Sequence, residues 1–165
     1  MRVFVSVGTD HHPFERLVGW AERWAASHPE DTVVVQHGTT RAPHGVEHAE
    51  LYRRDEMRAE LESSDVVVIS CGPGGVMDVR ATGRRPVVVA RRADLGEHVD
   101  DHQQAFARHL SRTGLAVCVE SEQEFADVLE DARHDAAAWR VEPDTDAPVG
   151  IARIGELIDG LVWGD

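Results

Sequence analysis

Asp65-Val66-Val67-Val68-Ile69-Ser70-Cys71-Gly72-Pro73-Gly74-Gly75-Val76-Met77-Asp78 is the stretch on which the fold turns. Its first six residues are apolar almost throughout and lack the alternation of a sheet wetted on one face. That predicts a central parallel strand covered by helices on both sides. The small residues that follow make a turn, and a helix beginning near Val76 is predicted to run to Thr82, with Gly83 as its stop.

The same unit recurs on either side. Residues 3–7 and 32–36 read as strands before this stretch, and residues 86–90 and 115–119 as strands after it. Between them lie helical patterns. Pro13 suits a first helical turn ahead of Leu17, Val18, Trp20, Ala21 and Trp24, and Asp55 suits a cap ahead of Met57 and Leu61. Further helices are predicted over residues 101–112, stopped by Gly114, and over 121–138. Repeated strand–helix units with short loops predict an α/β fold, a doubly wound, Rossmann-like parallel sheet with right-handed crossovers. Ligands of such sheets bind beyond the carboxyl ends of the strands. Residues 1–140 are read as one domain. Residues 141–165 are read as an exposed linker (142–148) and a closing helix (151–161), whose stripe of Ile151, Ile154, Leu157, Ile158 and Leu161 packs on the domain or docks a partner.

Composition narrows the function. The 165 residues carry 17 basic and 30 acidic side chains, a formal charge of −13, and 42% are hydrophobic. This is enough for a core, and the wrong sign for a nucleic-acid backbone as main partner. Every basic residue is Arg, so Walker-type phosphate binding and lysine Schiff-base chemistry are excluded. Cys71 and Cys118, in apolar runs, fit reduced thiols of a cytoplasmic protein. No signal peptide or membrane-spanning run is expected.

The turn at Gly72, Gly74 and Gly75 offers backbone amides at a helix start, an anion site suited to phosphate, although glycines also occur for turn geometry alone. Met77 stands where a dinucleotide fingerprint needs its third glycine, so NAD is disfavoured. Asp78, read on the first turn of that helix, either accepts from ribose hydroxyls or complements the helix dipole. Asp100, Asp101, His102, Gln103 and Gln104 are a polar cluster at another helix start, read as sugar-hydroxyl contacts or as a cap and solvated face. His98 and His102 are four apart, as are His44 and His48. Neither pair has the surroundings of a zinc protease, and no metal is expected. His11 and His12 lie in the loop after the first strand, within reach of the same edge. No Ser-His-Asp or Cys-His arrangement is legible.

Together these stretches resemble the C-terminal domain of glycosyltransferase family 28, the donor-binding half of a GT-B enzyme. The likeness runs through Phe4-Val5-Ser6-Val7-Gly8-Thr9, Pro13-Phe14-Glu15-Arg16-Leu17-Val18, Val35-Gln36-His37-Gly38, Asp65-Val66-Val67-Val68 with Gly72-Pro73-Gly74, Arg91-Arg92-Ala93-Asp94-Leu95-Gly96-Glu97-His98, and Asp101-His102-Gln103-Gln104-Ala105-Phe106-Ala107. It is similar to stand-alone subunits, the PssE-type exopolysaccharide transferases and the soluble subunit of the two-part dolichol-linked N-acetylglucosamine transferase; MurG-type enzymes carry the same domain as half of one chain.

The resemblance implies a UDP-sugar donor whose diphosphate lies at Gly72, Gly74 and Gly75, its ribose at Asp78, and its sugar at His102, Gln103 and Gln104. Gly8 and Thr9 would face the interdomain cleft, where His11 or His12 could contribute. The uracil would meet backbone near residues 52–55. It implies no metal or other cofactor, a lipid-linked acceptor, and a membrane-associated acceptor-binding partner subunit that recruits the chain to the inner face of the cell membrane. Relatives often carry His at position 70, a small residue at 71 and Thr at 75, where this chain has Ser70, Cys71 and Gly75. That departure leaves open a nucleotide-sugar-binding module without catalysis, or a homodimeric scaffold.

Overall fold

The computed structural model describes residues 1–143. The closing helix expected at 151–161 and most of the expected linker lie outside them. The described residues alternate strand and helix as β1 (Arg2–Ser6), α1 (Glu15–Ser27), β2 (Thr32–Gln36), β3 (Glu47–Ala49), α2 (Arg54–Ser63), β4 (Val66–Ser70), α3 (Pro73–Ala81), β5 (Val87–Val89), α4 (His102–Thr113), β6 (Val117–Cys118) and α5 (Glu122–His134). The six strands form one parallel sheet in the order β3-β2-β1-β4-β5-β6.

Side-chain alternation sorts the core into two layers. Val3, Val5, Val35, Val66, Val68, Val87 and Val89 face α1 and α5, while Phe4, Val34, Val67, Ile69 and Val88 face α2, α3 and α4. Because both faces are covered, the strands read as unbroken apolar runs. The sheet is therefore doubly wound, as expected.

Local signals misplaced several boundaries, each for a physical reason. The helix expected to open at Pro13 begins at Glu15, with Phe14 as N-cap. The Phe14 amide donates to Thr40 Oγ1, 2.9 Å away, so a residue of a distant loop caps it. Asp55 is not the cap of α2. Arg53 is, and its amide donates to Glu56 Oε2 at 2.8 Å. β3 has no counterpart among the expected strands; it pairs Val34 with Glu47 and Gln36 with Ala49 through backbone alone. The last strand shrinks to two residues, and the helix expected to reach 138 ends at His134, followed by a 3-10 turn over Ala136–Trp139.

One surface ion pair gives a pH-dependent prediction. Glu22 on α1 accepts from both Nη atoms of Arg41 at 2.6 Å and from the His44 amide at 2.7 Å. The Arg41 hydrogen bonds, foremost, hold its carboxyl at about 2 against an ordinary 4.5. A depressed carboxylate contributes stability above its unfolded value and loses it as pH falls through the folded one. Arg41 is open to solvent, so the contribution is set at about 1 kcal/mol. Glu22→Gln is expected to unfold more easily in urea at pH 7. The gap should close between about pH 4.5 and pH 2.

Candidate functional site

Strand order reverses at β1, with β2 and β3 to one side and β4, β5 and β6 to the other. The chain leaves β1 for α1 on one face and leaves β4 for α3 on the other. A crevice is left at their carboxyl ends, the usual ligand position in this architecture.

The β4–α3 turn sits at this crevice. Gly72 is the N-cap, Pro73 fills the first helical position, and the Val76 amide makes the first helical bond, to Gly72 O at 3.2 Å. The helix thus begins at Pro73, three residues before the expected start. Pro73 has no N–H, and the amides of Gly74 and Gly75 belong to a first turn with no intrahelical acceptor. The Gly72 amide is already engaged, donating to Ser70 O at 2.8 Å. None of the three glycines has a positive φ, so turn geometry does not require them. A Cβ at Gly72 or Gly74 would have no heavy atom within 4 Å. Their missing side chains leave the helix start open from outside. Gly75 differs, since a Cβ there would lie 3.2 Å from Ile69 Cδ1. The bulk of Ile69 fills the space that a threonine at 75 would need.

With α3 starting at Pro73, Asp78 stands on the second turn and not the first, and no acidic residue occupies the first turn. Complementing the dipole is correspondingly a weak role for it. Asp78 is exposed to solvent, yet burial of part of its surroundings raises its carboxyl above the ordinary value, and Arg54 at the start of α2 pulls it back. The charge of Arg54, within residues 52–55, is therefore felt by the carboxylate read as the ribose contact.

The cleft loop after β1 is held by close backbone packing. Gly8 has φ 79°, and a Cβ on it would lie 2.7 Å from Ser70 Oγ; a Cβ on Gly38, φ 53°, would lie 2.9 Å from Gly8 O. Only glycine lets these three strand ends meet. Thr9 is exposed beside them. Buried Gln36 ties the loops further, donating from Nε2 to Ser6 Oγ at 3.0 Å and accepting the Tyr52 amide at 3.1 Å.

Beyond β5 lies a residue whose role sequence did not reveal. Arg91 is fully buried. Its Nη1 donates to His12 O at 2.7 Å and Glu97 O at 2.9 Å, and its Nη2 to Val7 O at 2.8 Å. The guanidinium also lies 4.6 Å from the Phe14 ring centre. Glu97, buried too, accepts Arg16 Nε and Nη2 at 2.9 and 2.8 Å. The only advance signal was a charged residue directly after an all-apolar strand.

The predicted sugar contacts meet this same backbone. Gln103 is buried, and its Oε1 accepts the Arg91 amide at 3.1 Å; Gln104 Nε2 donates to Arg91 O at 3.2 Å. Gln104 Oε1 is left for other partners, and Gln104 lines a cavity of about 560 Å³ with Arg16, Arg92, Asp101 and Arg108. His102 is exposed and its Nδ1 is paired with Asp100 Oδ1.

The loops after β1 and β5 also meet through imidazoles. His12 Nδ1 lies 2.7 Å from Asp10 Oδ1, and His98 Nε2 lies 3.3 Å from Asp10 Oδ2. Burial pushes the Asp10 carboxyl up, but the His12 hydrogen bonds and the charges of Arg91 and His98 outweigh it, and its net position is below the ordinary value. His44 and His48 stay outside this group; His48 stacks edge-on against His37. Cys71 is buried and Cys118 half-buried, both unpaired, and burial pushes both thiols well above their ordinary range.

Among the described residues no helix is long and apolar enough to cross a membrane. The model of the glycosyltransferase family 28 C-terminal domain matches residues 2–149. No curated protein matches the chain. Solved structures that share the fold include three glycosyltransferases. The glycotransferase of kitacinnamycin aligns at 21% identity with a TM-score of 0.60, over 97% of this chain and 38% of that one. The calicheamicin glycosyltransferase CalG4 aligns at 18% and 0.56, over 97% and 39%. The glycosyltransferase SnogD from Streptomyces nogalater aligns at 18% and 0.54, over 95% and 43%. In each, more than half of the neighbour's length has no counterpart here.

Proposed function

The chain belongs to the glycosyltransferase family 28 C-terminal domain family, and from that premise we propose that it is the donor-binding part of a GT-B glycosyltransferase that uses a UDP-sugar. The observation that carries this reading is the start of α3, where the Gly74 and Gly75 amides sit at the sheet's reversal point with open space over Gly72 and Gly74. A diphosphate placed there would be met by free N–H groups and the positive end of the helix dipole. The Asp78 carboxylate would accept from the ribose, with the uracil near residues 52–55. The donor sugar would lie toward His102 and Gln104, with Gln103 holding the Arg91 backbone beneath it. Gly8 and Thr9 would face the acceptor.

In the transfer, an acceptor hydroxyl oxygen bonds to the anomeric carbon as the bond from that carbon to the diphosphate breaks. The electron pair leaves on the diphosphate, where the helix amides stabilise it electrostatically and no metal is needed. The base that takes the hydroxyl proton is assigned to a second domain. The family's two-part enzymes supply that domain as a membrane-associated, acceptor-binding subunit, and the solved neighbours carry more than half their length beyond the region matched here. We assign this chain to such a pair, acting on a lipid-linked acceptor at the inner face of the cell membrane, as in exopolysaccharide assembly. The donor sugar is a hexose, an N-acetylhexosamine or a uronic acid.

The test is calorimetric titration of the purified chain in EDTA with UDP, then with UDP-N-acetylglucosamine, UDP-glucuronate and UDP-glucose. Saturable UDP binding is expected. Asp78→Ala should weaken it about 10- to 100-fold, the scale of losing hydrogen bonds to a charged acceptor. The ranking of sugars then names the donor. UDP binding unaffected by Asp78→Ala would place the nucleotide elsewhere, and no binding to the chain or to a co-purified complex would overturn the reading.

A further inference from the structure

Several imidazoles that the donor site does not use converge on one carboxylate. Asp10, His11 and His12 lie close enough together to share an ion. His12 Nδ1 is 2.7 Å and His11 Nδ1 3.9 Å from Asp10 Oδ1, while His98 Nε2 approaches the other oxygen, Oδ2, at 3.3 Å. A tetrahedral ion with arms of 2.0–2.2 Å separates its donor atoms by roughly 3.3–3.5 Å. Each imidazole thus lies within about one such spacing of a carboxylate oxygen, His11 and His12 on Oδ1 and His98 on Oδ2.

We propose that Asp10, His11, His12 and His98 form a binding site for a divalent transition metal of the zinc type, joining the loop after β1 to the loop after β5. Three imidazoles, one carboxylate and no thiolate suit zinc; calcium and magnesium favour more oxygen donors. The set runs from a sheltered His98 side chain, 11% exposed, to His11 at 82%, so the site is reached from solvent on the His11 side.

His98 Nδ1 accepts the Asp100 amide at 3.4 Å and lies 3.5 Å from Asp100 Oδ1. An ion on Nε2 would put the ring proton on Nδ1, where Asp100 Oδ1 could accept it, as outer-shell carboxylates do in metal sites. Both ligand-bearing loops hang on one guanidinium, because Arg91 Nη1 donates to His12 O and to Glu97 O, next to His98. The charge of Arg91 is felt at Asp10 and opposes a cation there. The ion takes no part in the transfer step. It fixes the geometry of the cleft edge, and the proposal stands apart from the donor reading.

The test uses the untagged full chain, stripped with EDTA and dialysed, then titrated calorimetrically with Zn²⁺ and, in parallel, with Co²⁺ followed by visible absorption. One ion per chain is expected, with the intense d–d bands of tetrahedral Co²⁺. At zinc a hundredfold above its Kd the melting temperature should rise by roughly 5–10 °C. Binding should weaken at least 100-fold in His98→Ala and in Asp10→Asn, and stay unchanged in a His44→Ala/His48→Ala double variant. Absence of saturable binding would overturn the proposal, and so would wild-type affinity in both His98→Ala and Asp10→Asn. If circular dichroism shows His98→Ala misfolded, His98→Gln and Asp10→Asn carry the comparison. UDP titration in EDTA is scored separately, so failure of the donor reading leaves this result legible.

Discussion

Replacing Arg91 with alanine is expected to cost about 3–5 kcal/mol of folding stability, the range for breaking a buried polar network. The residue is fully buried, and its two Nη atoms satisfy the carbonyls of Val7, His12 and Glu97. Removing the guanidinium leaves those oxygens facing a cavity, each at the penalty of an unsatisfied buried acceptor, and removes the cation from the Phe14 ring. Arg91→Lys keeps the charge, but a single ammonium cannot span three carbonyls from two loops, and more than half of the loss should persist. Urea denaturation reads both variants, with the midpoint falling and the slope unchanged. A loss below about 1 kcal/mol for Arg91→Ala would mean that water replaces the side chain without penalty.

A second substitution should have the opposite signature. Gly74→Leu is expected to leave stability unchanged or raise it by up to about 1 kcal/mol, because leucine is the better helix former and its Cβ meets nothing within 4 Å. The same side chain would stand over the helix start where the diphosphate is placed, and UDP binding should fall below calorimetric detection. Stability and binding thus move independently. Gly75→Leu is the contrast, since its Cβ would press on Ile69 Cδ1 at 3.2 Å and cost stability too. Undiminished UDP binding by Gly74→Leu would remove the anion site from this turn.

Much of the fold was legible because both faces of the sheet are covered. Valine runs such as Val66-Val67-Val68 and Val87-Val88-Val89 have no wet side to interrupt them. What escaped depends on partners far along the chain or on backbone alone. β3 carries Glu47 and His48, exposed and without apolar alternation, and is a strand only because the outer edge of β2 offers hydrogen bonds. The start of α1 is set by Thr40, 26 residues later than the amide it caps.

The site divides in the same way. Its glycine turn and Asp78 sit in one continuous stretch, and their placement at the reversal point follows from strand order. The Arg91 network joins residues 79 and 84 positions apart, and His98 finds Asp10 across the same gap between loops. Spacing along the sequence drew attention to His98 with His102, whose rings do lie 4.6 Å apart; it could not show that His98 also meets Asp10 in the loop after β1.

The two margins of the sheet bear on behaviour at high concentration. β3 offers three residues and β6 two. A flat, long margin can recruit a strand from another molecule and propagate into a fibre. Margins this short supply at most one or two bonds to a newcomer before the chain turns away into a helix. The described sheet is therefore a poor seed for polymerisation, and crowded molecules are left to meet through helices or loops, by contacts that come apart on dilution.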